Sequence, residues 1–342
     1  MNYKPINGKL PEAYVIRTKD KDDLMQSTSG GFSTPLAQWF FNNEGSVWTA
    51  SYDEDWKVVH RKFTKIGMEF SKTRGSKYVQ SYLGDAYTRI QEELKDDKWI
   101  CFIGTTCQVY GLKQFLGKDY EKLITVDLVC HGVPSPGVWR KYLQDQILNK
   151  DQSRISNIQF RDKRLGWKNF SFTIWGYSNI NKNVPTILLT ESLKNNVFMK
   201  GFLKNLYLRP SCYNCPCRNF KSGSDITIGD YWGVENYYHT YDDDKGVSLV
   251  CVNTSYGMKI YSLLMVDGFE TPYEYLLSAN SCLEKSVTIP KLRNLFWLSF
   301  QHEGFNSIER ICGKMNPNFI HRAFSWIRSR IQYNNCLLYT SD

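Results

Sequence analysis

The chain has 342 residues, of which 42% are hydrophobic and 15% aromatic, with a formal net charge of +9 at neutral pH. That is ample material for a packed core, in one large domain or two ordinary ones. The charge is spread among acidic residues, without a block of five like charges and without a nucleic-acid motif, so nucleic acid is excluded as the expected partner. An ordinary solvated surface remains, or a face for anionic cofactors or an acidic redox partner. Apolar runs such as ICFIG and LITV fall far short of the ~18 residues that span a bilayer. The N-terminus, MNYKPINGKLPEAYV, lacks the basic-then-apolar layout of a signal peptide, so the expected location is the cytoplasm.

In chain order, AYVIRTK reads as a strand, and the Ser/Gly-rich turn in STSGGFSTPLAQWFFNN opens an amphipathic helix. Two short strands follow, SVWTASYD and KVVHRKFTK, then the turn TRGSKYVQS and a helix over DAYTRIQEELKDD. KWICFIG is a compact apolar strand that turns directly into the helix TTCQVYGLKQFLG. KLITVDLVC repeats the pattern and leads into a helix after HGVPSP. Strand–turn–helix twice in succession predicts an α/β fold with a parallel sheet. ISNIQFRDK, FSFTIWGY and TILLTE alternate as an antiparallel section, and 194–208 reads as helical. DITIGDYWG is a half-buried strand, 246–280 gives one strand and one helix, and the remainder is mainly helical. The tail NNCLLYTSD does not continue the basic helix before it and resembles translated adapter sequence.

Ten cysteines need an explanation. In a reducing compartment, clustered cysteines are more often metal-binding or catalytic than disulfide-bonded. Cys101 and Cys251 sit in apolar runs and read as small core residues, while Cys282, Cys312 and Cys336 have no ligand-like company. RPSCYNCPCRNF concentrates Cys212, Cys215 and Cys217 in six positions. Cys107 and Cys130 each follow a predicted parallel strand, at the sheet edge where α/β proteins bind ligands. Together with Cys212 and Cys215 they would close a four-thiolate site, which by count suits zinc or a [4Fe–4S] cluster equally. The plain alternative is two unrelated buried cysteines beside a zinc knuckle.

The motifs STSGGFSTPLA, GSKYVQS, FIGTTCQVYGL, DLVCHGVPSP, FRDKRLGWK and RPSCYNCPCRNF…SDITIGDYWG together resemble the coenzyme F420 hydrogenase/dehydrogenase beta-subunit family. The likeness runs from about residue 12 to 330. It is greatest to bacterial relatives associated with surface-polysaccharide gene sets. The family contains flavin- and iron–sulfur-dependent oxidoreductases. The resemblance therefore implies FAD and one [4Fe–4S] cluster on Cys107, Cys130, Cys212 and Cys215. Relatives commonly begin with a ferredoxin-like module, but no cysteine precedes residue 101 here, so that module is expected to be absent or lost by truncation.

Each motif has a plainer reading beside the one the resemblance implies. Ser29, Gly30 and Gly31 are an ordinary helix entry on their own, and a site for the flavin diphosphate within the resemblance. Ser76 and Lys77 make a surface turn, or a contact that stabilises a reduced isoalloxazine. Thr105 and Thr106 are expected to touch flavin from the turn that carries Cys107. FRDKRLGWK is a polar hairpin by default and an anionic-ligand contact by resemblance. The catalytic groups cannot be assigned from the sequence; His131, Lys163 and Asp230 are the candidates. The implied organisation is an N-terminal α/β part of a flavin domain (1–150), a C-terminal part with the cysteine turn (151–330) and a non-native tail (331–342). The implied activity is electron transfer between a ferredoxin-type or deazaflavin carrier and a small organic substrate, with a role in surface-polysaccharide biosynthesis. Two rivals stand beside it: a non-catalytic electron-transfer subunit of a larger redox complex, and a zinc-stabilised interaction module.

Overall fold

The computed structural model describes residues 11–148, 154–177 and 183–313. The tail 331–342 and Cys336 lie outside the described residues. The main sheet is built from β1 (Glu12–Arg17), β2 (Ser46–Tyr52), β3 (Val58–Phe63), β4 (Ile100–Thr105) and β5 (Leu123–Leu128). A second sheet follows from β6 (Arg154–Asp162), β7 (Ser171–Tyr177) and β8 (Thr186–Ser192). The chain then returns to the main sheet with β9 (Ile226–Asp230), β10 (Ser248–Val252) and β11 (Asp267–Thr271).

The eight main strands lie in the order β11-β1-β10-β9-β5-β4-β2-β3. The central four, β9, β5, β4 and β2, are parallel. The flanking strands β10, β1 and β11 on one side and β3 on the other run antiparallel to their neighbours. The α/β reading holds, and the sheet is mixed. The second sheet, β6-β7-β8, is antiparallel throughout.

β4 and β5 read as continuous apolar runs because both faces are covered, as parallel strands require. The helix α1 (Lys21–Gln26) precedes a turn into α2 (Ser33–Asn42), whose Leu36, Ala37 and Phe40 pack on Val47, Cys101, Ile124 and Val126. After α3 (Met68–Ser71), the helices α4 (Ala86–Lys95) and α5 (Thr106–Leu116) bring Ile90, Val109 and Leu112 against Trp48, Ile100 and Phe102. Each such buried side chain contributes roughly 1.5–3 kcal/mol.

α6 (Pro136–Leu143) starts with Ser135 as N-cap and Pro136 at its first position. Its Trp139 and Tyr142 join Phe160, Phe172 and Phe198 in the aromatic core of the second sheet. This sheet and the cysteine-rich turn both lie in the excursion 129–225 between β5 and its parallel neighbour β9.

Residues 246–280 hold two strands and two helices where the sequence suggested one of each: β11 and the helix Tyr273–Ala279 are additional. β11 is an edge strand with four of its five residues exposed, so it carries none of the apolar alternation that marks a half-buried strand. Cys101 and Cys251 are fully buried apolar residues.

Candidate functional site

The C-terminal ends of β4, β5 and β9 lie at one edge of the main sheet, together with the end of β1 and the start of β10. Thr105 caps α5, with a reciprocal Thr105–Gln108 capping box, and so sets Cys107 in the helix's first turn. The Thr105 hydroxyl lies 3.3 Å from the Cys107 sulfur. Cys130 follows β5 by two residues, in a loop that turns at Gly132 with φ of +140°.

That turn receives the cysteine segment. Arg209 N–H donates to the Val133 carbonyl at 3.0 Å, and Pro134 bridges Leu208. A β-carbon at Gly132 would approach Leu208 to 2.8 Å and Cys212 to 3.2 Å, so only glycine allows this approach without displacement. Cys212 sits in the short 3-10 turn Pro210–Asn214, and Cys215 terminates that turn. The Val133 N–H points to the Cys212 sulfur at 3.5 Å, and the Cys215 N–H donates to the Ser286 hydroxyl at 3.0 Å.

Cys107, Cys130 and the Cys212–Cys215 turn lie within electrostatic reach of one another. Burial pushes the Cys130 thiol up to about 12; Arg218 opposes the rise, and Cys107 and Cys212 add to it. Burial also raises Cys212, with Cys107 and Cys215 as neighbouring charges. A fifth thiol, Cys217, is buried; burial, Cys215 and Cys107 raise it to about 12. Cys107 is the exposed member. Among the described residues, no group of three or more His, Cys, Asp or Glu is arranged to hold a metal ion.

Two supporting groups escape a reading of sequence. Arg218, directly after the cysteine run, donates to the Cys282 carbonyl at 2.7 Å and lies over the His131 carbonyl, so its cation faces the thiols. Asp127, the one acid in β5, accepts from Ser222 and Thr227 at 2.6 Å each and anchors the segment after the cysteines to the sheet. Burial raises its carboxyl to about 6. An acid in an apolar strand and an arginine next to cysteines were the available signals. Thr106 faces a small cavity shared with Asp127, Cys217 and Cys282.

The other predicted residues form a second group at the same edge, over β1 and β10. The Ser29 hydroxyl donates to the Val247 carbonyl at 2.5 Å, and Gly30 N–H donates to the Ser248 hydroxyl at 2.9 Å. A β-carbon on Gly30 would collide with the Ile16 carbonyl and the Ser248 amide, and Gly31 has φ of +82° against Thr18. These glycines are therefore required by the approach to the sheet. Ser76 N–H donates to the Thr28 hydroxyl at 2.6 Å, which joins the two glycine-containing turns. Beside it, Gly75 has φ of +82° and open space where a β-carbon would lie. The Lys77 ammonium is held by the Thr73, Arg74 and Gly75 carbonyls at 3.0 to 3.4 Å, over the Tyr52 ring. Burial lowers its pKa to about 7.

Of the catalytic candidates, Lys163 and Asp230 lie close together and His131 stands apart. Lys163 donates to the carbonyls of Leu24 (2.5 Å), Lys245 (2.6 Å) and Ser29 (3.2 Å), and burial brings its pKa down to about 8. Asp230 pairs with the buried Arg161 and accepts from Trp167 Nε1 at 3.1 Å. His131 contacts Asn205 at 2.6 Å and faces the Cys282 sulfur at 4.0 Å; burial lowers its pKa.

Residues 97–271 match the sequence pattern of the C-terminal region of the coenzyme F420 hydrogenase/dehydrogenase beta subunit. No curated protein matches the chain significantly. Among solved structures, a chain of the xenon-derivatised F420-reducing [NiFe] hydrogenase complex from Methanosarcina barkeri is similar, with 18% identity and a TM-score of 0.48. The alignment covers 88% of this chain and 92% of that one. The family match spans just over half of the 342 residues, and the chain belongs to the coenzyme F420 hydrogenase/dehydrogenase beta-subunit family.

Proposed function

We propose that the protein is a flavin- and iron–sulfur-dependent oxidoreductase, exchanging electrons between a ferredoxin-type or deazaflavin carrier and a small organic substrate. Membership of a family of redox subunits supports the class of chemistry. The observation that carries the reading is the placement of Cys107 and Cys130 just after the parallel strands β4 and β5, with the Cys212–Cys215 turn hydrogen-bonded to the Cys130 loop through Arg209 and Val133.

The donor set fits a [4Fe–4S] cluster: four thiols, a cation in Arg218, and hydroxyl or amide donors at Cys107 and Cys212. The same four thiols satisfy zinc equally by count, and it is the family of redox subunits that favours the cluster. Because burial holds Cys130 and Cys212 protonated, loading the site releases protons and is favoured at higher pH.

FAD fits the neighbouring group. Gly75 has open space beside it, and Lys77 is a half-buried amine whose hydrogen-bond partners among the described residues are carbonyls of its own turn. Thr105 and Thr106 lie on the turn of Cys107. Ser29, Gly30 and Gly31 contribute by shaping the loop over β1 and β10. When bound, the flavin supplies the exchange between two-electron hydride chemistry and the one-electron steps of a cluster. The chain's own contribution is to hold both groups at one edge, with Lys77 offsetting negative charge on a reduced ring. Asp230, held by Arg161 and Trp167, and Lys163, held by three carbonyls, are positioning groups in this reading. His131, on the cysteine side, orients the loop after Cys130. A role in surface-polysaccharide biosynthesis, with a cytoplasmic location, accompanies the proposal.

An anaerobic dithionite titration followed by visible absorption tests it. Flavin bleaching together with loss of a broad brown absorbance supports the reading. A colourless protein refutes it. Turnover of an organic acceptor with an artificial donor then distinguishes an enzyme from a subunit that only passes electrons on.

A further inference from the structure

A chain of buried side chains, His60, Ser81 and Gln108, runs from β3 to the turn that carries Cys107. His60 Nε2 lies 3.1 Å from the Ile103 carbonyl, and its Nδ1 lies 2.9 Å from the Ser81 hydroxyl. Gln108 Nε2 meets the same hydroxyl at 2.8 Å. At the far end, Gln108 Oε1 stands 2.9 Å from the Thr105 N–H and 3.1 Å from the Thr105 hydroxyl. The residue before Ser81 reaches the other cysteine loop, where Gln80 N–H donates to the Pro134 carbonyl at 3.3 Å.

The two ends fix the direction of every bond between them. A backbone carbonyl only accepts, so His60 carries its proton on Nε2 and leaves Nδ1 as an acceptor. Ser81 then donates to Nδ1 and accepts from Gln108. A backbone N–H only donates, so Thr105 independently requires the carboxamide oxygen of Gln108 to face it. Both ends demand the same orientation of Gln108. Burial lowers the His60 pKa to about 4, which keeps the ring neutral and the chain directed.

The Thr105 hydroxyl has one proton and two acceptors within reach, Gln108 Oε1 at 3.1 Å and the Cys107 sulfur at 3.3 Å. A hydrogen bond donated to a ligand sulfur stabilises the more negative, reduced state of a cluster and raises its potential. We propose that His60, Ser81 and Gln108 are positioning residues that hold the Thr105 proton away from the Cys107 sulfur and so keep the cluster's reduction potential low. The claim rests on the iron–sulfur reading above. Gln108 acts as the competing acceptor, and Ser81 with His60 keeps its oxygen turned towards Thr105.

The measurement is the cluster's reduction potential in the full chain, by anaerobic redox titration followed with electron paramagnetic resonance. Iron and sulfide in the wild type report on the iron–sulfur reading separately; their absence would overturn that reading, and their presence leaves only the positioning claim at stake. Gln108→Met keeps the size and removes the competing oxygen, so the potential should rise by about 59 mV, a tenfold change for one electron. Ser81→Ala leaves Gln108 in place but unlocks its carboxamide, and should shift the potential in the same direction. The rise should vanish when Gln108→Met is made in a Thr105→Val background, where no hydroxyl remains to donate. If Gln108→Met loses the cluster, Ser81→Ala decides. Either single variant with its cluster at the wild-type potential, or a rise that persists without the Thr105 hydroxyl, would overturn the proposal. Loss of the cluster from both would show a purely structural chain and overturn it equally.

Discussion

A β-carbon at Gly132 would stand 3.2 Å from the β-carbon of Cys212, so the absence of a side chain at 132 is what lets the cysteine turn lie against the Cys130 loop. Its φ of +140° is also a conformation that other residues adopt only with strain of about 1–3 kcal/mol. Gly132→Ala should therefore separate Cys212 from Cys130 and lower bound iron by more than half, with the sheet core intact. Iron analysis beside far-ultraviolet circular dichroism checks this. A variant with full iron content would mean that the two loops do not share one site.

Five thiols compete for four places. Cys107, Cys130, Cys212 and Cys215 are expected to be ligands, so replacing any one by serine should abolish the brown absorbance. Cys217 lies after Pro216 and is buried against Cys215. Cys217→Ser should keep iron near the wild-type level. If Cys217→Ser empties the site while Cys130→Ser does not, the ligands are local to the cysteine turn.

Lys77 gives a pH signature. Its pKa falls from 10.5 to about 7 on burial, so between these values the unfolded chain holds a proton that the folded chain has released. Burial of Lys77 thus destabilises the fold below pH 7, and this cost fades as pH rises towards 10.5. The Tm of Lys77→Met minus that of wild type should be largest at pH 6 to 7 and decline steadily above it. A difference that does not vary with pH would show that Lys77 is solvated in the native protein.

The parts of this site that follow from the sequence are those set by local pattern. Cys107 and Cys130 each come directly after an apolar run long enough for one strand, so their shared edge is legible in the order of amino acids alone. Arg161 and Asp230 are sixty-nine positions apart, on different sheets, and nothing local predicts that they pair. Gly30 shows another limit: close approach to a ligand and close approach to β1 demand the same residue, and the structure shows the second. β11 was invisible because an exposed edge strand has no apolar face to pattern.

The central claim is that the four gathered thiols hold an iron–sulfur cluster beside a flavin. Anaerobically purified protein should contain about four iron, about four acid-labile sulfide and about one flavin per chain, with zinc near zero. About one zinc per chain, without sulfide or flavin, would contradict the account.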